Sequence, residues 1–188
     1  MMNIHNLSIS FQGDYLFEDI TFKLDNGDRV GLIGKNGAGK STMLKILSRE
    51  MEPDSGQIAT DKELKIGFLK QDIDFDHGQT VLEEAYEAFT EIKDIEAKVD
   101  DINHQLAERT DYESEAYHQL MVDVNEYHHQ YEILGGYNYQ GETEKILQGL
   151  GFQRKDFDKL TETFSGGWRM RIELAKLLLQ SNDILLLD

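Results

Sequence analysis

The stretch GKNGAGKS at residues 34–41 constrains the fold more than any other part of this chain. It fits the pattern G-x-x-x-x-G-K-[ST] and stands between the apolar run RVGLI and a helical pattern over residues 43–47. Glycines let backbone N–H groups crowd around phosphate oxygens, and the N-terminus of the next helix adds partial positive charge. A chance Gly-rich turn is the alternative, but strand, loop and helix together favour a phosphate-binding loop.

The ligand predicted for this loop is a nucleoside triphosphate. Lys40 would reach the β and γ phosphates, and the Ser41 hydroxyl would bind Mg²⁺. The dinucleotide pattern G-x-G-x-x-G does not fit these glycines. The loop alone leaves kinases, GTPases and many ATPases open. The residues predicted to bind nucleotide here are Gly34, Lys35, Asn36, Gly37, Ala38, Gly39, Lys40, Ser41 and Thr42.

A second candidate anion site lies at Ser165-Gly166-Gly167-Trp168, which opens a helix rich in Leu, Ala and Lys. A Ser hydroxyl, two Gly N–H groups and a helix N-terminus together form a site for an anion that this segment itself does not supply. A plain helix cap with a Gly turn is the alternative interpretation.

Hydrophobic periodicity divides the chain into strands and helices. Alternating or apolar runs at residues 4–11, 20–24, 29–33, 56–60, 64–72 and 184–187 predict strands. Apolar spacings of three and four over residues 82–106 and 117–134 predict two helices that form an antiparallel hairpin. Asp111 or Ser114 would cap the second helix, and Gly135-Gly136 would end it. Two ordinary core helices of an all-α subdomain remain the alternative.

Composition limits the partners and the location. The formal net charge is −17, which argues against a broad, nonspecific contact with nucleic acid. Cysteine is absent, so disulfides and thiolate metal sites are excluded. No apolar stretch approaches the roughly 20 residues that span a bilayer, and the N-terminus lacks signal-peptide features. A cytoplasmic location is therefore expected.

The two Gly-rich motifs in this order resemble those of ABC-type ATPases. In that family the second motif, usually with Gln where Trp168 stands, grips the γ-phosphate of ATP bound to the opposite domain. The resemblance implies that Gln71 contacts Mg²⁺ and the attacking water, and that Asp188, at the end of ILLLD, orients the Mg²⁺ shell. It also implies that Phe11 stacks on adenine, with Tyr15 as the rival.

The whole pattern is similar to the first nucleotide-binding domain of an ABC-F protein, and the hairpin is similar to the arm of that family. The resemblance implies an α/β P-loop NTPase core with an antiparallel β region at the N-terminus and an inserted α-helical hairpin arm. The predicted divisions are a first core part at 1–80, the arm at 81–136 and an incomplete second core part at 137–188. The last strand is expected beside the P-loop strand, with Asp188 pointing toward Ser41.

The function implied by the resemblance is an ATPase that acts on the ribosome, as a translation factor or in ribosome protection, with ATP and Mg²⁺ as cofactors. Its partners would be a second nucleotide-binding domain of the same parent chain and the ribosome, with no membrane subunit. The chain is expected to be a fragment that lacks the catalytic Glu and switch His, so it would bind Mg-ATP with little hydrolysis. Weak self-association is a further hypothesis. Two alternatives stay open, an energy-coupling subunit of a transporter and a coiled-coil ATPase acting on DNA.

Overall fold

The computed structural model describes residues 1–60, 64–70 and 78–188. These residues fall into two compact units, one formed by residues 1–60, 64–70 and 181–188 and the other by residues 78–180. The first unit holds both sheets and the second is helical, so the predicted α/β class is confirmed. The finer boundaries predicted after residues 80 and 136 stay a prediction.

An antiparallel sheet of three strands opens the first unit. Strand β1 (Met2–Phe11) lies in its centre, with β2 (Asp14–Leu24) on one side and β3 (Ser55–Thr60) on the other. Ile4 faces Phe22 across one ladder and Ile58 across the other. Apolar residues alternate with polar ones on either side of a register irregularity between Ile4 and Leu7, and they supply the core. The predicted antiparallel region is therefore confirmed.

A parallel pair forms the second sheet of this unit. Strand β4 (Ile66–Leu69) pairs with β5 (Ile184–Leu187), and Ile66 lies opposite Ile184. The prediction that β5 lies beside a P-loop strand is wrong for the described residues, because 28–35 form no strand and Ile33 is 95% exposed. The apolar run at 29–33 therefore does not form the strand that it predicted, because a short apolar run becomes a strand only where another strand pairs with it, and that pairing is a non-local choice.

The core of the first unit lies between the three-stranded sheet, helix α1 (Lys40–Leu47) and strand β5. Each element contributes the apolar side of its own period, two in the strands and 3.6 in the helix. The buried members are Met2, Ile4, Leu7, Ile9, Met43, Ile46, Leu47 and Leu186.

Five α-helices form most of the described part of the second unit. They are α2 (Val81–Tyr86), α3 (Thr90–Glu108), α4 (Glu115–Ile133), α5 (Tyr139–Gly149) and α6 (Gly166–Leu179). Their core consists of Val81, Ala85, Leu147, Phe152, Phe157, Ile172 and Ala175. No helix among the described residues has both the length and the apolar character needed to cross a membrane.

Helices α3 and α4 form the predicted antiparallel hairpin. Glu96 contacts Tyr131 and Lys98 contacts Tyr127, so a higher residue number in α3 faces a lower one in α4, as in an antiparallel pair. Ser114 caps α4 by accepting a hydrogen bond from the Tyr117 amide at 3.0 Å. The first helix does not run unbroken from residue 82 as its periodicity predicted, because a 3-10 turn at Glu87–Phe89 separates α2 from α3.

The end of the hairpin depends on its two glycines. Gly135 has a φ of 76°, a left-handed conformation that glycine adopts without steric cost. A Cβ on Gly136 would lie 2.5 Å from atoms of the Tyr131 ring. Both glycines are therefore required by the backbone turn and by the ring packed against it, as predicted for the end of α4.

Candidate functional site

The Gly-rich loop leads directly into α1. Helix α1 begins at Lys40, and Gly39 before it has a φ of 92°. A Cβ on Gly39 would lie 2.8 Å from Leu16 and 3.2 Å from Phe17, so only glycine fits between the loop and β2. The loop therefore lies tightly against the sheet at its last residue, while residues 31–38 are exposed to solvent.

The N-terminus of α1 is open to an anion. No side chain caps it, and its first turn contains no Asp or Glu. The first N–H groups of a helix lack partners within the helix and carry its partial positive charge. Within the loop, the Ala38 amide donates to the Lys35 carbonyl at 3.1 Å. The geometry suits a phosphate group placed over the loop.

Lys40 places its charge at the loop itself. Its Nζ donates to the carbonyl oxygens of Gly34 and Lys35, each at 3.0 Å. The ammonium therefore lies at the start of the loop, and the backbone from 34 to 40 folds around it. The same ammonium has one further hydrogen to direct toward a phosphate, because an ammonium has three N–H donors and two of them bind these carbonyls.

Ser41 and Asp188 are brought together from opposite parts of the sequence. The Ser41 hydroxyl donates to Asp188 Oδ1 at 2.9 Å, although 147 positions separate the two residues. Helix α1 holds Ser41, and the ladder of β4 and β5 holds Asp188, whose amide donates to the Leu69 carbonyl at 3.2 Å. The predicted approach of Asp188 to Ser41 is confirmed, while their roles toward a metal stay a prediction.

This oxygen pair fits Mg²⁺. Magnesium prefers hard oxygen donors, and it usually takes one or two protein ligands while phosphate and water supply the others. Among the described residues no three Asp, Glu or His side chains converge on a common point. A site of this kind therefore needs the phosphates of a nucleotide to complete the shell.

The other predicted residues of this face are less constrained. Phe11 and Tyr15 lie at the turn between β1 and β2 and are 49% and 61% exposed, so either ring is accessible to a base. The choice between them stays a prediction. Gln71 lies outside the described residues.

The second Gly-rich motif forms the start of α6 in the helical unit. Ser165 is the residue before the helix, Gly166 and Gly167 are its first residues, and all three are exposed. The Ser165 side chain makes no capping hydrogen bond and the first turn contains no acidic residue. A hydroxyl without a capping bond and an uncapped helix N-terminus therefore face solvent, and anion binding at this motif stays a prediction.

Trp168 lies among aromatic side chains. Its ring centroid is 4.9 Å from that of Phe152 and 6.2 Å from that of Phe164. The Arg171 guanidinium stacks 4.5 Å from the indole centroid and donates to the Leu150 carbonyl at 3.0 Å. The indole thus anchors the first turn of α6, a contact that sequence reasoning missed because none of these partners is a helical neighbour of Trp168 except Arg171.

A buried ion pair fixes the other end of α6. Lys176 Nζ lies 2.6 Å from Glu84 Oε1 of α2 and 3.2 Å from Glu173 Oε2, and the Glu84 side chain is 5% exposed. Burial alone would lower the pKa of Lys176, but the hydrogen bond to Glu84 and the charge of Glu173 outweigh it and raise the pKa. No local sequence pattern indicates this pair, because 92 positions separate its members.

Comparison with known proteins gives a consistent result. The family described as "ABC transporter" matches residues 17–188. The chain is 36% identical to ABC transporter F family member 2 and 34% identical to F family member 5, both of Arabidopsis thaliana, over its full length. It spans 28% and 27% of those two relatives. The dimeric structure of MJ0796, a bacterial ABC transporter cassette, matches the whole chain and 73% of its own, with a TM-score of 0.62 and 19% identity, which shows a shared fold.

Proposed function

Because the chain belongs to the ABC transporter family and is similar to its F family members, we propose that it is a nucleotide-binding domain of an ABC-F ATPase and binds Mg-ATP. The single observation that carries the proposal is the approach of Ser41 to Asp188 at 2.9 Å, in the first turn of the helix that begins at Lys40. A cation, a hydroxyl and a carboxylate at one helix N-terminus match the needs of a metal-bound triphosphate.

The roles of the residues follow from their positions. The loop amides and the N-terminus of α1 would hold the β-phosphate, and Lys40 would turn from the carbonyls of Gly34 and Lys35 toward the γ-phosphate. Bound Mg²⁺ would neutralise charge that develops on the phosphates during transfer. Ser41 and Asp188 would be its protein ligands. Gln71 would position the attacking water, and Phe11 or Tyr15 would stack on the base.

The start of α6 would act on nucleotide bound to a second domain. The Ser165 hydroxyl and the uncapped helix end form an anion site, and both lie exposed. The dimeric state named for the MJ0796 cassette supports a paired arrangement. Trp168 would position Ser165 rather than touch the phosphate, because its indole lies against Phe152 and Arg171. The two domains would close when ATP is bound and separate when ADP is bound, and this change of conformation would drive the activity of the whole protein.

We propose that the whole protein acts on the ribosome. The support is the similarity to F family members and the hairpin inserted before α6. An energy-coupling role in a transporter and an action on DNA are the competing proposals. Cosedimentation of the chain with ribosomes, compared with membrane vesicles and with duplex DNA, separates the three, each with and without ATP. We expect the chain to sediment with ribosomes in the presence of ATP, and not with membrane vesicles or duplex DNA.

The nucleotide proposal is tested by removing the loop cation. Lys40→Ala should weaken binding of a fluorescent ATP analogue in the presence of Mg²⁺ by at least tenfold, since a charge-assisted contact contributes about 1.5–3 kcal/mol. Lys45→Ala is the matched control, because Lys45 lies exposed on the same helix and its loss changes the net charge equally. Equal affinities of the two variants would contradict the assignment of Lys40.

A further inference from the structure

A cleft lies on the hairpin near its junction with α5. It has a volume of about 320 Å³ and is lined by Glu96, Val99 and Asp100 of α3, His128 and Tyr131 of α4, and Tyr137. We call it the basal cleft. Its volume is at the lower end of the range of about 300–1,000 Å³ typical of ligand pockets, so it has room for one long side chain.

Uncompensated negative charge is the first property of the basal cleft. Neither Glu96 nor Asp100 forms an ion pair with any residue of the described chain. Residues 90–133 contain twelve Asp and Glu but only three Lys and Arg. Each of the three basic side chains contacts a partner outside the basal cleft. These partners are Glu87 for Lys93, the Tyr127 ring for Lys98 and Asp111 for Arg109.

Two aromatic rings are the second property. The rings of Tyr131 and Tyr137 meet edge to face, with centroids 5.1 Å apart and an interplanar angle of 84°. Tyr137 is 69% exposed, so most of its ring is open to a partner. Such a ring face attracts a cation through its quadrupole. A carboxylate beside an open ring face is a favourable arrangement for a guanidinium.

The hydrogen bonds of the cleft hold the Glu96 carboxylate in place without neutralising it. Tyr131 donates to Glu96 Oε1 at 2.8 Å, and Tyr139 donates to the same atom at 3.4 Å. Burial and this bond to Glu96 raise the pKa of the Tyr131 phenol, so it remains a neutral donor at physiological pH. The position of the anionic group is therefore fixed before any ligand arrives, which limits the entropy lost on binding.

We propose that the basal cleft binds an arginine side chain presented by a basic protein surface. The guanidinium would bond to the carboxylates of Glu96 and Asp100 and stack on Tyr137, two contacts that a planar cation makes together. A lysine would keep the charge and lose the planar fit. A nucleic acid would meet its own sign of charge along the whole hairpin, whose helix α4 contains no Lys or Arg.

The experiment measures binding of fluorescently labelled hexaarginine to the full chain by anisotropy at low ionic strength and without nucleotide. Asp100→Asn should weaken binding about tenfold, and Tyr137→Ala about threefold. Asp94→Asn is the matched control, because Asp94 is exposed on the same helix outside the cleft and its loss changes the net charge equally. Its effect should stay below twofold. Hexalysine should bind about threefold more weakly than hexaarginine.

Several results would overturn the proposal. Equal weakening by Asp94→Asn and Asp100→Asn would mean that only net charge attracts the peptide. Equal binding of hexalysine and hexaarginine would show that the cleft does not recognise the planar guanidinium. Tighter binding of single-stranded RNA than of hexaarginine would show that the hairpin binds a different class of partner. Since nucleotide is absent throughout, each of these outcomes leaves the assignment of Lys40 and Ser41 unaffected.

Discussion

Replacing Glu84 by Gln should destabilise the helical unit even though it lowers the excess of negative charge. The substitution leaves the Lys176 ammonium, whose side chain is 16% exposed, facing a neutral amide. Removing one partner of a buried ion pair costs about 3–5 kcal/mol. Glu173 stays 3.2 Å from Lys176 and compensates part of the loss, so we expect a value near the lower end, about 3 kcal/mol.

The assay for this prediction uses Trp168, the only tryptophan of the chain. Its indole packs against Phe152 in the same unit, so its fluorescence reports the unfolding of that unit and not of the sheets. In urea, with a slope of about 2 kcal/mol per molar, the midpoint should fall by about 1.5 M without a change in slope.

Two comparisons make the outcome decisive. Glu91→Gln removes the same charge from an exposed position in the first turn of α3 and should change stability by less than about 0.5 kcal/mol. The double substitution Glu84→Leu with Lys176→Met should recover most of the loss, because apolar side chains of similar volume often replace a buried pair without cost. A midpoint for Glu84→Gln equal to that of Glu91→Gln would refute the reasoning.

Two further predictions concern the hairpin base and the sheet. Gly136→Ala should cost about 1–3 kcal/mol because its Cβ would strike the Tyr131 ring, whereas Gly141→Ala, with open space around its Cβ, should stabilise α5 by up to about 1 kcal/mol. Thermal unfolding of both variants is the test, and equal shifts would contradict it. Hydrogen bonds from the Ser10 hydroxyl and amide lower the pKa of Asp54, so their stabilisation is present above pH 3.8 and lost as the pH falls through the lower native value. A carboxyl NMR titration should show Ser10→Ala raising that pKa; an unchanged value would exclude the hydroxyl contact.

Local patterns predicted most elements of this chain, although the strand predicted at residues 29–33 does not form. The spacing of apolar residues over 82–134 predicted the hairpin, and the Gly-rich stretch predicted a loop followed by a helix that begins at Lys40. These predictions succeed because the period of a helix and the steric needs of a phosphate loop are recorded in neighbouring residues.

Non-local choices were beyond the sequence. The pairing of β5 with β4 depends on which apolar strand lies nearby, and the spacing of apolar residues within a strand does not predict its partner. The Glu84–Lys176 pair and the aromatic contacts of Trp168 join segments far apart in the chain. The break of the helix at Glu87–Phe89 was also missed, since the apolar period continues through it. Tertiary packing overrides a weak local preference at each of these points.

The first unit is discontinuous in sequence, because residues 181–188 pack with residues 1–60 and 64–70 although the whole helical unit lies between them in the chain. During synthesis, β4 therefore lacks its partner β5 while roughly 100 residues are added. This takes roughly 5–20 s at ribosomal rates of about 5–20 residues per second. Until then the hydrophobic edge of β4 and the face of α1 lack the Leu186 side chain that packs against them. In that interval the nascent chain exposes this apolar surface to aggregation and to chaperones, and the Ser41–Asp188 contact cannot yet form.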